Sequence, residues 1–172
     1  SRERLHQLSQ QPTPINPIYP LKIVRQIAEA LELAERLDLY HCSLSPDTIQ
    51  LKQDGTVVLV DLGIPVVENG MAAKLAPLLD NDAYVAPEQQ QGKPIDSRCQ
   101  VYSMAVILYE ILTKELPAEP VTLWHTVSQS LLPKNTALEL KRPDLTRETY
   151  DLVEKCLRAQ PWGRYPTIKE FL

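Results

Sequence analysis

Apolar and polar positions divide the chain into a small number of elements. Over residues 21–39, apolar side chains recur at three-and-four spacing (Ile23, Val24, Ile27, Ala30, Leu31, Ala34 and Leu37), with Lys22, Arg25, Glu29, Glu32 and Arg36 on the other face. That period predicts an amphipathic helix. Residues 48–51 and 56–60 read as short strands joined by the Gln53-Asp54-Gly55 turn, and the pair ends at Asp61-Leu62-Gly63, a hairpin pattern. Residues 101–112, preceded by Asp96 as a candidate cap, are apolar on nearly every side, which places that helix in the middle of a core. Segments 121–131 and 147–158 predict two further amphipathic helices, the second burying Leu152, Val153, Cys156 and Leu157, and Thr167 caps a last short one. At the other end, residues 1–9 are expected to form a short helix with Leu5 and Leu8 on one face. Pro12, Pro14, Pro17 and Pro20 then make an extended connector, because proline opposes helix in the residue before it. Residues 64–83 have no clear period and read mostly as loop, with at most a turn of helix at 71–75. The expected fold is mainly α, with one or two small β-hairpins.

Composition narrows the function classes. With 172 residues and 44% hydrophobic positions, the chain makes one domain, or a large piece of one, with a real core. Eighteen Lys and Arg against 22 Asp and Glu give a net charge of −4, leaving no basic excess for a phosphate backbone, so no nucleic-acid partner is expected. Cys42, Cys99 and Cys156 lie far apart without a C-x-x-C pair, which fits buried thiols in a reducing, cytoplasmic setting. The longest apolar run falls short of the ~20 residues of a membrane span, and the opening Ser1-Arg2-Glu3-Arg4 is no signal peptide.

Several segments, in order, resemble the larger C-terminal lobe of eukaryotic-type Ser/Thr protein kinases. His41-Cys42-Ser43-Leu44-Ser45-Pro46-Asp47-Thr48-Ile49 is similar to the catalytic loop H-R-D-[L/I]-K-P-x-N-[I/V], and Asp61-Leu62-Gly63 to D-F-G. Tyr84-Val85-Ala86-Pro87-Glu88 matches the Y-x-A-P-E that closes the activation segment. Residues 100–112 resemble the buried helix F, and 157–164 the L-x-x-D-P-x-x-R near the end of the domain. The Y-x-A-P-E-Q wording and short loops lean toward bacterial members. The resemblance implies one kinase-like C-lobe over 1–172. Within it, 1–20 would be a helix D-like segment and connector, 41–63 the catalytic loop and hairpin, 64–88 the activation-segment equivalent and 97–172 a helical subdomain.

The same resemblance implies losses. The proton-accepting aspartate falls at Ser43, the phosphoryl-steadying lysine at Ser45 and the magnesium-holding asparagine at Thr48, while Cys42 takes the place of the preceding arginine. Asp80-Asn81 stands where G-T is usual, the helix F aspartate is Gln100, and its partner glycine is Ala105. Asp61 remains as a vestigial metal-binding carboxylate, a poor magnesium site alone. No Gly-rich loop, V-A-[I/V]-K strand or helix C glutamate precedes the catalytic region, so either an upstream part has been removed from this sequence or the protein has lost the small lobe. A serine hydroxyl does not act as a carboxylate base near neutral pH. These points lead to the expectation of no catalytic residues, no cofactor, no metal, no ATP or magnesium binding and no enzyme activity: a pseudokinase scaffold serving a protein partner or other domains of a longer chain. The alternative is a degenerate kinase half that binds nucleotide through Asp61 with an upstream lobe and retains slow transfer.

The resemblance also implies structural roles. Glu88 and Arg164 stand where the family places a buried salt bridge, and His41 where it places a bracing core histidine. His41 with Ser43 makes no nucleophile–base pair, lacking an orienting acid, and His6 and His125 have no ligand-spaced neighbours for zinc. Between Gly63 and Ala83 there is no Ser, Thr or Tyr, so phosphorylation cannot order that segment. Its apolar positions Val66, Val67, Leu75, Leu78 and Leu79 are candidates for partner binding.

Overall fold

The computed structural model describes residues 3–5, 15–37, 39–41, 43–62, 64–65, 82–117 and 136–172. The helix read at 121–131, the turn at 71–75, Cys42, Asn81 and the partner candidates Val66, Val67, Leu75, Leu78 and Leu79 lie outside the described residues.

Strand β1 (Glu3–Arg4) is extended, which corrects the helix expected over 1–9. It pairs antiparallel with β3 (Ile49–Leu51), and the Leu5 N–H donates to the Ile49 carbonyl at 3.1 Å. Leu5 is thereby swallowed by the core, with 0% exposure. β3 continues through the Gly55 turn (φ +82°) into β4 (Val57–Leu59), so the sheet order is β1-β3-β4. A second ribbon pairs β2 (Leu39–Tyr40) with β5 (Ile64–Pro65), Tyr40 opposite Ile64.

Helix α1 (Ile18–Glu35) starts after Pro17, with Asn16 Oδ1 accepting the Ile18 N–H. Pro20 falls in its first turn, where a missing N–H costs nothing. The helix ends before Leu37, which is 67% exposed rather than part of the buried face. Helix α2 (Pro87–Gln90) is one turn. Helix α3 (Ser97–Thr113) begins at Asp96, whose carboxylate accepts the Arg98 N–H at 2.8 Å, and is buried on every side from Cys99 to Leu112. Around it pack α1, α4 (Thr136–Lys141), α5 (Arg147–Cys156) and α6 (Ile168–Phe171). Such an arrangement makes α3 the shared wall of the core, as its pattern demanded. The fold is mainly helical with small antiparallel sheets at one end.

Candidate functional site

The polar residues of interest gather where the β2–β5 ribbon meets the N-terminal end of α3. Two segments flank that ribbon: residues 41 and 43–48 after β2, and residues 60–62 before β5. His41 binds them together. Its Nε2–H donates to the Val60 carbonyl at 3.0 Å, and its backbone N–H donates to Gln100 Oε1 at 3.0 Å. The ring is 3% exposed and its Nδ1 is buried without a hydrogen-bond partner. Burial lowers the His41 pKa, against smaller upward pulls from the Val60 bond and the Asp61 charge. The imidazole is therefore a neutral brace.

Gln100 is itself oriented. Its amide N–H₂ donates to Glu35 Oε1 at 3.0 Å, so its oxygen is left facing the His41 N–H. A carboxylate at 100 would meet Glu35 instead, so glutamine here is matched to an acid on α1. Burial raises the Glu35 pKa, opposed by its bonds to Ser97 and Gln100.

Within the loop, the Ser45 N–H donates to Thr48 Oγ1 at 3.1 Å and the Thr48 hydroxyl donates to the Ser45 carbonyl at 2.9 Å. The Thr48 carbonyl in turn accepts the Val60 N–H at 2.9 Å. Thr48 is thus spent on holding the turn. Ser43 is half-buried, and Asp61 is exposed with its backbone in the left-handed region, φ 60°. Aspartate tolerates that conformation better than most residues. Among the described residues no group of three His, Cys, Asp or Glu could hold a metal ion. Asp61 offers magnesium a single carboxylate, so the phosphates of a bound nucleotide and water would have to complete its coordination.

The structure brings Glu88 and Arg164 together, although they lie 76 residues apart. Arg164 Nη1 and Nη2 donate to the two Glu88 oxygens at 2.6 and 2.9 Å, and the Arg164 side chain is 0% exposed. Its remaining N–H groups donate to the carbonyls of Arg158, Ala159 and Arg98 at 2.7, 3.1 and 3.1 Å. Every donor of the guanidinium is used, and the group lies 4.8 Å from the centre of the Tyr102 ring. The Cys99 thiol donates to Glu88 Oε1 at 3.2 Å, and burial pushes that thiol strongly up. Cys156, pushed up to about 12 mainly by burial, is equally inert.

Two anchors escaped the sequence reading. The Tyr84 hydroxyl donates to Glu110 Oε2 at 2.6 Å, and Ser103 donates to the Tyr84 carbonyl at 2.7 Å, so the segment entering α2 is stitched to α3. Arg142, 6% exposed, donates to the carbonyls of Leu112 and Ile15 and pairs with Asp144. For the first anchor, the buried Ser103 and Glu110 on an otherwise apolar helix were the available signal, since such groups require partners.

A helical lobe with this hairpin, this loop and this buried ion pair defines a protein-kinase-like domain. The protein kinase domain profile matches residues 1–172, and the chain belongs to that family. A probable serine/threonine-protein kinase of Clostridium perfringens is 29% identical over 153 residues, covering 86% of this chain and 22% of the relative. The serine/threonine-protein kinase PknB of Mycolicibacterium smegmatis is 29% identical over 164 residues, covering 91% and 26%. The crystal structure of the Mycobacterium tuberculosis PknI kinase domain, a double mutant, superposes with a TM-score of 0.68 at 24% identity, covering 98% of this chain and 58% of that one. The chain thus spans about a quarter of the length of these curated relatives.

These findings overturn the expectation that the chain is not an enzyme. The family match covers the whole chain, and the relatives are named as kinases. The physical reason is one of degree. Phosphoryl transfer is mostly positioning and charge stabilisation spread over many groups. A positioned base contributes about 10²–10⁴-fold, so the loss of a carboxylate at Ser43 does not by itself exclude catalysis. No helix among the described residues is long and apolar enough to cross a membrane.

Proposed function

We propose that the chain is the C-lobe of a bacterial-type Ser/Thr kinase unit that binds nucleotide with an upstream lobe, and that Asp61 and the Ser43 loop support slow phosphotransfer to protein. The observation that carries this reading is the His41 brace: it ties the 43–48 loop to Val60–Asp61, so a hydroxyl-bearing loop and a carboxylate share one edge of the lobe. Such pre-set geometry favours transfer even where the proton acceptor is weak. The test is thermal unfolding of the full-length protein with ATP and magnesium. A ligand that binds the folded state raises its melting temperature. The reading expects a rise that is lost in Asp61→Asn; no rise, or an equal rise in the variant, refutes it.

A second reading, a protein-interaction or regulatory platform, is supported by the rigidity of the lobe. The Tyr84–Glu110 bond, the Arg142 fork and the Glu88–Arg164 pair fix the helical scaffold that follows residues 64–83, and the apolar sequence of those residues suits a protein partner. Under it, Leu78→Asp with Leu79→Asp abolishes capture of the partner while leaving the melting temperature unchanged. Unaltered capture refutes the surface.

A further inference from the structure

The bonds that hold the 43–48 loop begin outside it, on α1. Glu35, the last residue of that helix, is half-buried, and its carboxylate accepts from Ser97 and from the Gln100 amide, the latter at 3.0 Å. Gln100 passes the contact on, its Oε1 accepting the His41 N–H at 3.0 Å. The His41 ring reaches the Val60 carbonyl at 3.0 Å, and the Val60 N–H reaches the Thr48 carbonyl at 2.9 Å. One continuous series of hydrogen bonds thus runs from α1 through α3 to both sides of the candidate site.

An amide anchors a loop only if something sets which way it faces. A carboxylate presents an acceptor whichever oxygen turns inward, whereas a glutamine carries its acceptor on one side and its donors on the other. Turned over, Gln100 would set its N–H₂ against the His41 N–H and leave that donor without an acceptor, in a residue 3% exposed. An unpaired backbone group so buried costs about as much as a lost hydrogen bond. Glu35 opposes the turn, because an ionised carboxylate only accepts and so holds the N–H₂ side of the amide toward α1. We infer that Glu35 is a positioning residue for phosphotransfer: it touches neither nucleotide nor protein substrate, and it sets the 43–48 loop by fixing the orientation of Gln100. Its effect on rate rests on the phosphotransfer reading above; its hold on His41 does not.

Amide hydrogen exchange at His41 in the full-length protein, read by mass spectrometry with single-residue fragmentation, measures that hold. The Leu108 N–H, in the middle of the buried α3, reports global opening. Glu35→Leu should speed His41 exchange relative to Leu108 by about tenfold or more, roughly 1.4 kcal/mol, and slow phosphate transfer from radiolabelled ATP by a similar factor. Glu35→Gln keeps an acceptor oxygen and should recover most of both losses. In a Gln100→Leu background, Glu35→Leu should change neither any further, because its route to the loop is gone. Glu35→Ala serves the same end if Glu35→Leu melts early. An unchanged ratio of His41 to Leu108 exchange in Glu35→Leu overturns the inference. So does a further loss in the Gln100→Leu background, or faster His41 exchange with unaltered turnover. A wild type that transfers no phosphate refutes the phosphotransfer reading and with it the effect on rate, while the exchange ratio still decides the hold on His41.

Discussion

Replacing Glu88 by glutamine changes one heavy atom and should destabilise the lobe more than most single substitutions. The Arg164 side chain it faces is 0% exposed and receives both carboxylate oxygens at 2.6 and 2.9 Å. Glutamine offers one acceptor and turns an N–H₂ toward a cation, leaving a buried charge without its counter-ion. Breaking a buried pair from one side costs about 3–5 kcal/mol. With a urea m-value of about 2 kcal/mol per M, the unfolding midpoint falls by roughly 1.5–2.5 M. Arg164→Met separates charge from packing. It orphans the carbonyls of Arg158, Ala159 and Arg98, so Glu88→Gln with Arg164→Met recovers only part of the loss. Equilibrium urea unfolding followed by circular dichroism is the assay. A midpoint shift below about 0.5 M for Glu88→Gln, equivalent to about 1 kcal/mol at that slope, refutes the reasoning, because an ion pair so cheaply broken is solvated.

Gln100→Asp should lower stability by about 1–3 kcal/mol by setting a carboxylate against Glu35, and Glu35→Gln in the same background should restore it; thermal melts of the four proteins decide this. His41 supplies an acid limb. Its pKa is lowered by burial from the ordinary 6.5, so below that value the unfolded chain takes a proton that the folded one refuses. Stability is flat above 6.5 and falls by up to about 1.4 kcal/mol per pH unit beneath it, until the folded pKa is reached. Urea midpoints from pH 7.5 to 5.5 should show that slope in the wild type and a shallower one in His41→Gln.

Legibility followed the range of each interaction. Helix α3 was readable because its core role is written in consecutive residues, Cys99 to Leu112, all buried. The capping of α3 by Asp96 and of α6 by Thr167 was readable for the same reason. β1 was not, since two residues carry no period and their partners lie at 50 and 51. Leu37 fitted the helical pattern yet lies beyond the end of α1, where the backbone turns and exposes it. At the site, family wording singled out Glu88, Arg164 and His41, and local spacing alone would not have. Glu35 went unseen because its role exists only through Ser97 and Gln100, the latter 65 residues away. Arg142 reaches Ile15 across 127 residues, which no local pattern records.

Turnover with and without a carboxylate at position 43 tests the functional account most directly. Phosphate transfer from radiolabelled ATP to a generic protein substrate is measured for the purified full-length protein and for Ser43→Asp. A slow wild-type rate that rises by about 10²–10⁴-fold in the variant is the predicted result, because a proton acceptor then stands on the braced loop. A rate that does not change would contradict the account, showing that residue 43 is not where the proton goes.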